Sequence, residues 1–325
     1  MLGTMTSVLP KTLICSRSDR LGDLVLTLPA VAFLKKSLAD YRIVLHVSAY
    51  AADLAELALA NGICDGWISS DASLKEENQA WNFAGDTAGL GSADLLAFFH
   101  GPMAIKLIQK EKIQFSMAPR TKLSTLWTYS KTIRQRRSQV EKSELDYNVD
   151  LARGYLKSRG FGMPEFAGLP KLEIPISWRA GQSTAFQNQA PDVPSKIAAI
   201  FVNNGASARN WSLENYLEEG RRLAELGYEI HYHYGGVNAD LLKTRLIAAT
   251  ANGKIIDPFP SLKELLIYIA GLQRLVASST GPLHLGHALG IPVLGVYPGQ
   301  PRTQSFKRWR PHGYWHNAGV ELIEI

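Results

Sequence analysis

A chain of 325 residues, 46% apolar and with a formal net charge of +6, is long for one core. Two domains are expected, each able to bury enough apolar surface to need no disulfide. Its two cysteines, Cys15 and Cys64, sit in apolar runs, which argues against a disulfide framework or a cysteine metal site. No stretch has the length of a membrane span, and the N-terminal residues lack the basic and apolar regions of a signal peptide, so a cytoplasmic protein is expected.

Strand-like runs at 11–16, 42–48, 64–69 and 94–99 alternate with helical spacing at 24–38, 51–59 and 103–109, a βαβα pattern that implies a parallel sheet covered on both faces. The first strand-to-helix junction, RSDRLGDLVLTL (17–28), places Arg17, Asp19, Arg20, Gly22 and Asp23 between two apolar runs. Pro29 sets the helix start near itself or kinks the helix there. Asp23 has two readings: an ordinary helix N-cap, or a general base beside a crevice, with Gly22 letting substrate come against the backbone. Asp19 and the arginines can form an ion-pair cluster that holds the loop.

From Lys106 to Lys142 ten basic residues, among them Arg120, Lys122, Arg134, Arg136 and Arg137, face only Glu111 and Glu141. This is either a solvated face or a landing site for an anionic partner such as a phosphorylated glycolipid or a membrane surface. Phe115, Trp127 and Tyr129 are interleaved with it. A helix is expected from near Ser143 to Gly160. Glycines and prolines then punctuate residues 160–195. The expected division is a first domain over 1–170, a linker region over 171–195, a second domain over 196–305, and a closing segment, 306–325, that packs across both.

The alternation restarts at 197–202 and runs through strands at 228–234, 272–278 and 291–297, with helices at 213–226, 238–250, 261–270 and 281–289. Ligands of doubly wound sheets sit at the carboxyl ends of the strands, where loops enter helices. Three loops follow from that rule. In NNGASARNWSLENY, Asn204 and Gly205 end a strand and Arg209 precedes a helix, either as a surface arginine or as the cation that holds a diphosphate. Gly235 and Gly236 follow the next strand. In SSTGPLHLGHALG, Ser279, Thr280, Gly281 and Pro282 open a helix whose N–H groups make an anion site, and His284 can hydrogen-bond a phosphate or a sugar. His284 and His287 alone make no metal site. The chain has no G-x-G-x-x-G after its first strand, no P-loop, no pair of aspartates separated by one residue after a strand, and no G-x-S-x-G, so dehydrogenase, NTPase, metal-chelating nucleotide-sugar and hydrolase sites lack candidates. With no recognition module evident, nucleic acid is not an expected partner.

Taken together, R-x-D-x-x-G-D-x-x-L-T-x-P at Arg17–Pro29, R-N-W-S at 209–212 and T-G-P-L-H-L-x-x-A-L-G-x-P at Thr280–Pro292 resemble the heptosyltransferase family, glycosyltransferase family 9. The basic segment followed by E-L-D-Y-N-V-D-L at 144–151 extends the resemblance over nearly the whole chain. It implies a GT-B fold, two Rossmann-like domains facing across a cleft, the first binding the acceptor and the second the nucleotide-sugar donor. It also implies inverting transfer of heptose from ADP-heptose onto a lipopolysaccharide core at the cytoplasmic membrane face; separately, a monomer is expected. By position, Asp23 matches the family's base, and Arg209 stands where the family usually has a phosphate-binding lysine. Thr280, Gly281 and His284 match the donor diphosphate loop, with Asn204, Gly205, Gly235, Gly236, Ser279 and Pro282 beside them. Acceptor contacts are expected from Arg17, Asp19, Arg20, Gly22, Arg120, Lys122, Arg134, Arg136 and Arg137, and neither a metal nor a cofactor beyond the co-substrate is expected. The chain departs from the family pattern at Ser279, where many members have aspartate, and after Gly236, where an acidic residue is missing or displaced to Asp240.

Two other classes fit the same motifs. A non-catalytic nucleotide-sugar or glycan-binding protein would keep the fold and the basic patch. A nucleotide-sugar epimerase would convert donor without an acceptor, and it accounts less well for the patch.

Overall fold

The computed structural model describes residues 11–70, 82–84, 92–110, 113–166, 168–179, 196–202, 210–236, 238–250, 253–311 and 319–325. The chain forms two compact units. One is drawn from residues up to Asp19, Thr27–Gln135 and Asn148–Phe166; the other from Arg20–Leu26, Arg136–Tyr147 and Ala167–Ile325.

The first unit is built on seven strands, β1 (Lys11–Ser16), β2 (Tyr41–Ser48), β3 (Gly66–Ser70), β4 (Asn82–Ala84), β5 (Ala93–Ala97), β6 (Ile113–Pro119) and β7 (Lys131–Ile133), in the order β4-β3-β2-β1-β5-β6-β7. All neighbours run parallel except β3 and β4. The central strands are largely apolar and buried on both faces, with Arg42, His46 and Asp94 among the buried polar exceptions, as a parallel sheet covered by helices requires. The helix at the first junction is broken rather than kinked. Helix α1 (Leu21–Val25) ends before helix α2 (Leu28–Ser37), whose first turn carries Pro29 and whose last carries Lys35 and Lys36. Proline is tolerated in a first turn because its missing N–H has no intrahelical acceptor there.

Helix α3 (Ala52–Ala60) follows β2 and helix α4 (Pro102–Lys110) follows β5; the short helix α5 (Thr125–Thr128) lies between β6 and β7. Helix α6 (Glu144–Ser158) starts at a capping box in which Ser143 Oγ accepts from the Asp146 N–H at 3.1 Å and Asp146 Oδ2 accepts from the Ser143 N–H at 3.3 Å. Within the first unit, α6 is tied to β5 by Tyr155, whose hydroxyl donates to Asp94 Oδ2 at 2.7 Å.

The second unit holds six parallel strands, β8 (Lys196–Phe201), β9 (Tyr228–His233), β10 (Lys254–Ile256), β11 (Arg274–Ser278), β12 (Val293–Tyr297) and β13 (Val320–Glu324), in the order β10-β9-β8-β11-β12-β13. Around them lie the short helix α7 (Ile176–Arg179), α8 (Leu213–Glu225), α9 (Ala239–Ala249), α10 (Leu262–Ala270), α11 (Gly281–Ala288) and the short α12 (Phe306–Trp309). Its core includes Ile200, Tyr216, Leu223, Ile230, Tyr232, Val276 and Val296. Helix α8 lies so close to β9 that a Cβ at Gly220 would stand 1.9 Å from the Tyr232 hydroxyl. The closing segment supplies β13, paired with β12 from Val293↔Val320 to Tyr297↔Glu324.

Within the second unit Glu144, 1% exposed, accepts from Arg137 Nη1 and, at 2.9 Å, from Arg308 Nη2. Arg308 Nη1 also donates to the Arg137 carbonyl at 2.6 Å. The fork joins the segment before α6 to α12, and both guanidiniums are largely buried. Glu144→Ala would leave two desolvated cations without their anion. Its expected cost is about 3–5 kcal/mol, read as a lower urea midpoint than Glu141→Ala, whose exposed carboxylate should change it by less than about 1 kcal/mol.

Candidate active site

A cavity of about 640 Å³ opens at the carboxyl ends of the second unit's strands. All its lining residues belong to that unit. Arg20, Leu21, Gly22 and Asp23 come from the start of α1, Phe201 from the end of β8, and His233, Tyr234, Gly235 and Gly236 from the end of β9 and its loop. Ser279, Thr280, Gly281, Pro282 and His284 come from the entry to α11, and Thr303, Gln304 and Trp309 from the segment after β12.

Asp23 is not a helix cap. The N-cap of α1 is Arg20, with extended dihedrals, whose carbonyl accepts from the Leu24 N–H at 3.0 Å. Asp23 stands three residues further on in the first turn, 8% exposed, where the helix dipole favours an anion. Helix α1 packs against the first turn of α11. A Cβ at Gly22 would stand 2.8 Å from His284 Cδ2 and 3.7 Å from the Gly281 nitrogen, and one at Gly281 would stand 3.2 Å from Leu21 Cδ2. The two glycines therefore bring two helix N-termini to one cavity, and Gly22 is needed for helix contact as much as for access.

At α11 the N-cap Thr280 makes no side-chain cap bond; its N–H and hydroxyl both turn back to the Ser278 carbonyl, at 2.7 and 3.2 Å. Pro282 carries no N–H, so Gly281 and Leu283 hold the first-turn amides that lack an intrahelical acceptor, an arrangement suited to an anion. His284, 3% exposed, has its Nδ1 buried with no hydrogen-bond partner among the described residues. Burial, and then the neighbouring His287, push its pKa down to about 3, so the ring is neutral near pH 7. Among the described residues no group of three or more His, Cys, Asp or Glu is placed to hold a metal ion.

Other expected residues lie elsewhere. Arg17, 4% exposed, forks onto Asp19 at 2.6 and 3.0 Å and donates to the Phe98 carbonyl at 3.4 Å. The Tyr50 hydroxyl donates to the Asp19 carbonyl. This pair holds the loop in the first unit. Arg120, Lys122 and Arg134 are exposed on the first unit. Arg136 and Arg137 belong to the second, where Arg137 is engaged with Glu144. Asn204, Gly205 and Arg209 fall outside the described residues. Sequence reasoning missed Phe201, His233, Tyr234, Thr303, Gln304 and Trp309. Phe201 and His233 end strands, and the strand-end rule applied to every strand would have found them; nothing local marks Thr303, Gln304 or Trp309.

The arrangement puts a carboxylate, an anion-binding helix end and a neutral imidazole on one cavity. Comparisons with known proteins bear on the family and the fold. Residues 104–316 match the family model of glycosyltransferase family 9 (heptosyltransferase). A protein of Haemophilus influenzae, provisionally named a glycosyltransferase, is 29% identical over 310 residues, covering 91% of this chain and 84% of its own length. A glycosyltransferase family 9 structure from Veillonella parvula superposes with a TM-score of 0.73 at 16% identity, over 97% of this chain and 86% of that one. The Escherichia coli ADP-heptose lipopolysaccharide heptosyltransferase II superposes with a TM-score of 0.69 at 14% identity, over 96% and 90%, and E. coli heptosyltransferase WaaC with ADP at 0.65 and 17%, over 96% and 93%. These likenesses give the two sheets the GT-B type of fold, and with the family match running through the basic segment, α6 and the α11 loop, the chain belongs to glycosyltransferase family 9, the heptosyltransferases.

Proposed function

We propose that the protein is an inverting, metal-independent glycosyltransferase that moves heptose from ADP-heptose onto an acidic lipopolysaccharide-type acceptor. The observation that carries this reading is Asp23 on the same cavity wall as the entry to α11. In the reaction the Asp23 carboxylate takes the proton of an acceptor hydroxyl as that oxygen attacks the anomeric carbon. The bond from that carbon to the diphosphate breaks on the opposite side, and the configuration inverts. Charge growing on the departing diphosphate is met by the α11 amides and the Arg209 guanidinium. The neutral His284 ring lies beside that path without adding charge. The names of two solved relatives, one an ADP-heptose heptosyltransferase and one described with ADP, support adenine as the donor base.

Thermal melts of the full chain with ADP, UDP, GDP and CMP test the donor. ADP at about a hundred times its Kd should stabilise the fold by about 2.7 kcal/mol. A shift with UDP and none with ADP would overturn the ADP-heptose assignment. Activity with acceptor that survives chelation by EDTA is the expected result for metal independence. Donor turnover without acceptor would favour an epimerase instead.

The acceptor side is proposed on the first unit's charge. Arg120, Lys122, Lys131 and Arg134, all exposed, flank in sequence a stretch in which Leu123 is 79% exposed and Trp127 is 89% exposed, with Leu126 exposed as well. Tyr129 is buried, and Phe115 is half-buried against Tyr155 and under Arg159, so of the three interleaved aromatics Trp127 is the fully exposed one. Basic residues around exposed Trp and Leu suit an anionic bilayer surface. Among the described residues no helix is long and apolar enough to cross a membrane. The protein should sediment with phosphatidylglycerol vesicles, with blue-shifted Trp127 emission, and Trp127→Ala with Leu123→Ser should remove that binding. Equal binding to neutral phosphatidylcholine would count against a charge-led contact.

A further inference from the structure

Behind the cavity wall, four side chains of the second unit form one line of hydrogen bonds that the reaction above does not use. His233 Nε2 lies 2.9 Å from the Tyr268 hydroxyl, the same hydroxyl lies 2.8 Å from His231 Nδ1, and His231 Nε2 lies 2.9 Å from Glu229 Oε1. Lys254 Nζ closes the outer end at 2.5 Å from Glu229. Glu229, His231 and His233 alternate along β9, so all three project to one face, and Tyr268 reaches them from α10.

The charge at the outer end sets the direction of every bond. Lys254 and His231 hold the Glu229 carboxyl down at about 2, so it is an acceptor only. His231 Nε2 must then donate. Burial lowers the His231 pKa despite Glu229; a neutral ring with its proton on Nε2 has a bare Nδ1. The Tyr268 hydroxyl donates its one proton to that nitrogen, and its oxygen can only accept from His233 Nε2–H. His233, which burial pushes down to about 3, is thereby a neutral ring whose Nδ1 is bare. Its two faces are occupied, by Phe201 stacked at 4.4 Å and Phe259 at 5.7 Å. Nδ1 has no hydrogen-bond partner among the described residues, and His233 lines the cavity.

We infer that His233 offers Nδ1 as a hydrogen-bond acceptor to an N–H or O–H of the nucleotide, and that Tyr268, His231 and Glu229 are positioning residues that set this polarity. The inference rests on reading the cavity as the nucleotide-sugar pocket. It gives the pocket a preference for a donor group at that point, since a ligand presenting an acceptor there would face an unprotonated nitrogen. Two groups of an adenosine nucleotide qualify, the exocyclic amine and a ribose hydroxyl.

The experiment combines tautomer and affinity. In ¹⁵N-histidine-labelled full-length protein at pH 7.5, with the His233 signals identified by their loss in His233→Asn, Nε2 should be protonated and Nδ1 bare, and ADP should move Nδ1. Tyr268→Phe removes both hydroxyl bonds and should leave His233 exchanging between tautomers. His233→Ala should weaken ADP binding roughly two- to tenfold, the range of one neutral hydrogen bond. His233→Asn, whose amide oxygen can stand near the Nδ1 position, should recover most of it. If the amine is the partner, IDP should bind wild type as weakly as His233→Ala binds ADP; if a hydroxyl is, 2′-deoxy-ADP should. A His233 proton on Nδ1, or unchanged ADP affinity in His233→Ala, would overturn the inference. If wild type binds no adenosine nucleotide, the pocket reading fails along with the ligand role, while the tautomer spectrum still decides the direction of the bonds.

Discussion

Replacing Asp23 with asparagine is expected to lower kcat by about 10²- to 10⁴-fold, the usual contribution of a positioned general base, while ADP affinity stays near the wild-type value. Asparagine keeps the shape of the side chain and its place in the first turn of α1 but cannot accept the hydroxyl proton. Because the diphosphate is assigned to the amides of α11, donor binding has no reason to depend on the carboxylate. The measurement is acceptor-dependent ADP release beside ADP binding by calorimetry. Full activity in Asp23→Asn would remove the base assignment. Loss of both activity and ADP binding would instead mean that the α1–α11 contact, built on Gly22 and Gly281, had collapsed. Acceptor-dependent ADP release that is lost in Asp23→Asn while binding persists also separates an enzyme from a protein that only holds the nucleotide sugar.

Acidification is expected to destabilise the second unit well before its carboxylates titrate. His233 and His284 are both pushed down to about 3 by burial, against an ordinary value of 6.5. In the window between those values the unfolded chain binds a proton at each site and the folded chain does not. Stability therefore rises with pH there, is fully present above about 6.5, and falls as the pH drops towards 3. Each histidine contributes a slope of up to about 1.4 kcal/mol per pH unit inside the window. Two together make up to about 2.7 kcal/mol per unit, a large share of a typical domain's net stability. Urea midpoints at pH 7.5, 6.0 and 5.0 should fall steadily, and His284→Gln should flatten the lower part of the curve. A midpoint independent of pH over that range would show that the rings are hydrated or paired. Glu229, held down to about 2, works in the same direction, but only below its ordinary 4.5.

Much of the site is legible in the sequence. The strand-end rule led to Asp23, Gly235, Gly236 and the Ser279–His284 loop because each lies where a buried apolar run gives way to glycine, small polar residues and a helix start. Those signals are local, set by backbone sterics and helix-end electrostatics. The cap-or-base ambiguity at Asp23 was a different matter. It turned on whether the helix begins at residue 20 or 23, and the answer depends on a break at Leu26–Thr27 that separates α1 from α2. The strands β4, β6, β7, β10 and β13 were also missed. Three residues such as Lys254–Ile256 carry no period of their own, and the Val320–Glu324 edge strand is half-exposed, so only its pairing with β12 defines it.

What this sequence determined by itself was the alternation of buried runs and helices, the three loops at strand ends, and with them the family and the class of chemistry. Periodicity and turn chemistry act over a few residues and can be read from a few residues. Only the tertiary structure decided that Arg20–Leu26 joins the second unit, where Arg20–Asp23 line its cavity, while Arg17 and Asp19 stay behind as a fork in the first. It likewise made Arg137 a partner of Glu144 and brought His231, His233, Tyr268 and Glu229 into one directed line. Those outcomes depend on contacts such as Arg17 with the Phe98 carbonyl, His231 with Tyr268 and Arg308 with Glu144, between residues tens to more than a hundred positions apart, on burial that suppresses charge on the histidines, and on a fixed carboxylate that orients its neighbours. No local pattern carries that information.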